Sequence, residues 1–125
     1  MATRLLPPDD HPKLSAAEVV QRLREEFEHI ETDAGEGQDQ VGAMIETFVR
    51  LKAPQAILDW HVSVRDTAVH VWISDDPSDE LAYVAFTAMD GGDVFIGYSS
   101  QQHEERARPI VERCQRALGF EWMDQ

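Results

Sequence analysis

Hydrophobic positions between residues 14 and 32 recur every three to four places. Val19, Val20, Leu23, Phe27 and Ile30 take one side, with Arg22, Arg24, Glu25 and Glu28 elsewhere. Ser15 followed by Glu18 is a capping-box signature, and Leu14 with Val19 has the spacing of a hydrophobic staple. A helix is therefore predicted from about residue 15 to residue 32. The stretch "TDAGEGQDQ" then breaks the pattern with two glycines and several acids, which predicts a connection between helices. A second amphipathic helix carries Val41, Met44, Ile45, Phe48 and Leu51 on one stripe, and Pro54 closes it.

From about Ile57 the period changes to two. In "LDWHVSV" Trp60, Val62 and Val64 alternate with Asp59, His61, Ser63 and Arg65; in "AVHVWIS" Val69, Val71 and Ile73 alternate with His70, Trp72 and Ser74. A turn at Asp66 and Thr67 sets Val64 against Val69, Val62 against Val71 and Trp60 against Ile73, so a hairpin is predicted. "LAYVAFTAM" and "DVFIGYS" follow as two more strands. Between them Asp90-Gly91-Gly92 forms a turn, with Gly92 expected in the left-handed conformation. The last segment reads as a helix capped by Ser99 and ended by Gly119, with Pro109 either kinking it or starting it late. Phe120 to Met123 leave room for a short edge strand.

The predicted fold class is α+β: two helices, a four-stranded antiparallel meander and a final helix, in the order α-α-β-β-β-β-α. Residues 1–13, with Pro7, Pro8 and Pro12, are expected to form a flexible N-terminal arm, and 14–125 a single domain.

Composition narrows the partners. Twenty-four acidic against eleven basic side chains give a formal net charge of −13, which repels nucleic acid and anionic membrane surfaces. The hydrophobic share of 42% is that of an ordinary folded domain. One cysteine, Cys114, excludes an internal disulfide and falls in the stripe of Ile110, Val111 and Leu118, the place of a core residue. "MATRLLPPDDHPK" has no apolar run of the signal-peptide kind, so the expected location is cytoplasmic.

Several motifs invite chemistry and fall short of it. "GEGQDQ" lacks the third glycine and the preceding strand of a phosphate loop, and is expected to be a linker. "HEERA" places alanine where a zinc-protease helix needs its second histidine. "DDPSDE" lacks the alternating ligands and the glycine of a calcium loop.

What remains is the face of the sheet turned away from the helices. It carries Trp72, Tyr83, Phe95 and Met89 beside the small residues Ala85 and Gly97, a trough too apolar to be simply solvated. The expected function is a small acidic interaction domain without catalysis and without a cofactor. It would bind a protein partner or a second copy of itself through that face, with Trp72, Tyr83, Ala85, Phe95 and Gly97 at the interface. The alternative is a metal-binding protein or enzyme that uses His61, His70 and Asp59 on the first hairpin, since two imidazoles and a carboxylate suit iron or zinc.

Overall fold

In the computed structural model, which describes residues 2–123, the predicted class is correct and the predicted order is not. Strand β1 (Ala2–Leu6) comes first, then helix α1 (Ala16–Glu26), strand β2 (Ile30–Asp33) and helices α2 (Ala34–Arg50) and α3 (Gln55–Val64). A single 3-10 turn at 65–67 leads into strands β3 (Val69–Ser74), β4 (Tyr83–Ala88) and β5 (Val94–Gly97). Helix α4 (Gln101–Leu118) and strand β6 (Glu121–Met123) follow.

The strands form two antiparallel three-stranded sheets, ordered β2-β3-β4 and β5-β1-β6. No continuous four-stranded meander forms. The strand pattern of 69–74 and 83–88 holds, with Val71, Ile73, Val84, Phe86 and Ala88 buried on one face. In their register Trp72 faces Ala85 and Ser74 faces Tyr83, which keeps every side chain on its predicted face. β5 packs beside β4 but takes its ladder from β1, pairing Thr3 with Ile96 and Leu5 with Val94. Residues Ala2–Leu6 of the segment expected to be a flexible arm are thus the middle strand of a sheet, with Leu5 wholly buried. The predicted edge strand is present and pairs with the other side of β1.

α1 and α4 lie together on the buried face. The capping box is formed: Ser15 Oγ accepts from Glu18 N and Glu18 Oε1 accepts from Ser15 N, both at 3.1 Å. Val19, Leu23 and Phe27 meet Ile110, Val111, Cys114 and Leu118 over the strands. α1 stops at Glu26 because Ile30–Asp33 finds a ladder on β3, with Ile30 opposite Ile73. Tertiary pairing overrides the helical spacing of Ile30.

α4 is capped by Ser100 rather than Ser99, its Oγ accepting from His103 N at 3.1 Å. The helix runs through Pro109, whose exposed position spares the core the proline ring. Gly119 ends it in the left-handed conformation at φ 70°. In the β4–β5 turn the left-handed residue is Gly91, not Gly92. Arg113 ties α4 to both neighbours, with Nε 3.0 Å from Glu26 Oε1 and Nη1 2.6 Å from Asp75 Oδ1. No helix of the described residues is long and apolar enough to cross a membrane.

The predicted first hairpin does not exist. Residues 55–64 are helical, and β3 pairs with β2 in place of them. The apolar residues here satisfy two periods at once. Alternation singles out Trp60, Val62 and Val64, while helical spacing singles out Ile57, His61 and Val64. His61 and Val64 are the buried ones, at 8% and 5% exposure, and Val62 stands 60% exposed.

Candidate functional site

α2 decides the shape of the outer sheet face. Its N-cap is Asp33, whose Oδ1 accepts from Glu36 N at 2.9 Å, so the "GEGQDQ" segment is the helix's first turns and not a linker. Gly37 lets the helix touch the sheet: a Cβ there would stand 2.6 Å from His70 N and 2.7 Å from the Val69 backbone. Val41, the next residue on that stripe, is wholly buried. Gly42 gives room to the Arg65 guanidinium, and Gln38 Nε2 donates to Asp66 O at 3.0 Å. The helix is thereby fixed to β3 and to the turn before it.

α3 packs back on α2 and on that same turn. The connection between the helices is a Schellman turn, with Lys52 at φ 58° and Ala53 N donating to Phe48 O at 2.9 Å. Together the pair covers β3 and stands off β4 and β5. The result is a cleft of about 510 Å³ on the outer face, within the range of ligand pockets.

Its floor is Ala85, Thr87, Met89 and Phe95; one wall is Gln40, Met44 and Phe48 of α2, and the roof is Trp60 and His61 of α3. Thr87 Oγ1 donates to Gln40 Oε1 across the floor. Arg4 and Asp93 close one end, with Nε and Oδ2 3.1 Å apart and the Arg4 guanidinium 5.8 Å from the Phe95 ring. The β4–β5 turn that carries Met89 is itself anchored. Asp90 Oδ1 accepts from Ala16 N at 2.7 Å, at the positive end of α1, and its Oδ2 accepts from Thr67 Oγ1 at 2.8 Å.

Both histidines of the predicted pair reach this cleft, by a different route from the one expected. His70 comes from β3 and His61 from α3. His61 Nδ1 lies 2.8 Å from Ile57 O; a carbonyl only accepts, so Nδ1 is the donor. Phe48 and Trp60 each hold their rings 4.8 Å from that of His61. His70 Nδ1 is buried without a hydrogen-bond partner. Asp59 is not with them: it is exposed on α3 and accepts from Gln55 Nε2 at 2.9 Å. Among the described residues no three His, Cys, Asp or Glu side chains are grouped to hold a metal ion.

The five predicted interface residues divide. Ala85 and Phe95 line the cleft, and Phe95 is 51% exposed. Trp72 and His70 line a second hollow of about 330 Å³ beside it, closed by Glu31, Thr32, Asp33 and Glu36. Tyr83 is half-buried, its ring stacked 4.2 Å from His103 and 6.3 Å from Trp72. Gly97 lies on the other sheet opposite Ala2, in open space. Ser63 belongs to α3 and not to the predicted hairpin, and His70 faces Thr87.

Sequence reasoning missed the walls. Met44 and Phe48 read as a core stripe, and Trp60 as an inward strand residue; a signal was present in Gly37, a glycine inside a helix that invites close approach. Comparison with family models, curated proteins and solved structures returns no match.

Proposed function

We propose that this domain binds a segment of a protein partner in the cleft between its outer sheet face and α2–α3, without catalysis. One observation carries the reading: α2 and α3 cover only half of an apolar sheet face. Over the remaining part, floored by Ala85 and Phe95, Trp60 of α3 overhangs an open cleft. Trp60, Phe95, Met44 and Met89 supply the aromatic and thioether surface that interface cores favour, and Gln40, Thr87 and His61 supply a few polar contacts. α3 is the most apolar helix of the chain, yet Ile57, Trp60 and Val62 are 39%, 36% and 60% exposed. A helix apolar on most sides is ordinarily enclosed.

The test is a random hexapeptide display library panned on the protein and on Ala85→Arg, whose side chain fills the floor. Sequences should be enriched on the former and lose binding to the latter, with both proteins melting alike. Phe95→Ala, at a half-exposed position, checks the result without adding bulk. No enrichment, or equal binding to all three proteins, would overturn the proposal.

A further inference from the structure

The cleft and the hollow adjoin at His70, and between them Gln40 accepts from Thr87 and donates to Glu36 Oε1 at 3.5 Å. His70 lines both, and one flank of α2 runs along both: Glu36 stands in the hollow, and Gln40, Met44 and Phe48 follow in the cleft, four residues apart. Twelve helical residues rise about 18 Å, the length of about five extended residues. The two differ in chemistry. The cleft is apolar, whereas the hollow holds the carboxylates of Glu31, Asp33 and Glu36 beside the indole of Trp72. Asp33 is spent on capping α2. Glu31 and Glu36 form no ion pair with the described residues. Arg24, the cation that approaches, donates to Thr32 Oγ1 at 3.0 Å instead.

We infer that the occupant is an extended basic-apolar segment of a partner protein, with a lysine or arginine seated between Glu31, Glu36 and Trp72 and an apolar side chain two to four residues away entering the cleft beside Ala85. This rests on the binding role proposed above. Charge complementarity selects the occupant: a second copy of a chain with net charge −13 is repelled, and a basic segment is drawn to the acidic hollow. The Trp72 face adds a cation–π contact that a neutral residue forgoes.

Two pools of fluorescein-labelled, terminally blocked hexapeptides test this by fluorescence anisotropy. They share apolar and small residues at five positions and differ at one, fixed as Lys or Arg in one pool and Gln in the other. The basic pool should bind about tenfold tighter. Glu31→Gln with Glu36→Gln should remove that advantage. Glu25→Gln with Glu28→Gln, an equal change of net charge on exposed positions away from the hollow and the cleft, should preserve it. If the pools bind equally and both lose affinity to Ala85→Arg, the charge inference falls while the binding role stands. If the Glu25/Glu28 pair matters as much as the Glu31/Glu36 pair, bulk attraction explains the preference and the inference falls. If neither pool binds, or Ala85→Arg binds them unchanged, the binding role falls and takes the inference with it.

Discussion

Gly37 of α2 and His70 of β3 meet backbone to backbone, at a separation that leaves no room for a side chain between them. Gly37→Ala should therefore destabilise the protein. The substitution gains about 1 kcal/mol of helix propensity, but the atoms it meets are main chain and cannot step aside. A clash of that kind costs about 1–3 kcal/mol beyond the gain, and α2 would be levered off the sheet. Gly35→Ala is the contrast, since its Cβ meets only the end of the Asp33 side chain at 3.4 Å. Urea unfolding should show the Gly37 variant below wild type and the Gly35 variant level or above. The reverse order would refute the close-packing account.

Lys52 is the one non-glycine among the described residues with positive φ. Lys52→Gly should raise stability by about 0.5–1 kcal/mol, because the left-handed turn costs an L-residue strain that glycine escapes. The thermal midpoint should rise by a few degrees. A fall would mean that the lysine side chain contributes more than the strain it bears.

Part of the fold was legible for a definite reason. The strands at 69–74 and 83–88 alternate without ambiguity, and Ser15 with Glu18 leaves no second interpretation. Residues 57–64 satisfied both periods, and Pro54 did not break the tie, since proline ends one helix and can precede the next. β1 was hidden by the prolines after it, and "GEGQDQ" by two glycines, of which Gly37 offsets its helical cost by contact with β3. Ala85 and Phe95, expected together on the outer sheet face, both line the cleft. Its walls come from segments far apart in the chain, which no local pattern joins.

His103 is wholly enclosed and bonded at both nitrogens. Ser99 N donates to Nδ1 at 2.9 Å, so the proton sits on Nε2, which donates to Tyr83 O at 3.0 Å. His103→Phe keeps the stacking partner for Tyr83 and removes both bonds. It should cost about 2–3 kcal/mol, the price of leaving an amide and a carbonyl unpaired. His103→Gln should recover part of the loss. Equal stability of the Phe variant and wild type would show that the bonds contribute nothing.

The protein should lose stability in alkali. Burial pushes the Cys114 thiol from its ordinary value of 9.0 up to about 12, and burial also raises the Tyr98 phenol against the lowering effect of its bond to Thr3. Both groups stay protonated in the folded chain after the unfolded chain has ionised. Their contribution is complete below about pH 9 and declines as pH rises toward 12, by about 1.4 kcal/mol per unit for the thiol. Denaturant titrations from pH 8 to 11 should show the decline, and Cys114→Ala should make it shallower. The same burial predicts no reaction of native Cys114 with Ellman's reagent at pH 8, and full reaction in urea.

β1 is made before every other described element, and the strands on either side of it are among the last. Thr3 waits for Tyr98, 95 residues later, and Leu6 for Glu121. On the ribosome, then, Leu5 has no sheet to enter while α1 to β4 are emerging, and the opening segment must stay free of other chains during that interval. The prolines and acids that follow it, Pro7, Pro8, Asp9 and Asp10, are poor material for a strand-to-strand aggregate, and they guard a strand that is born long before its neighbours.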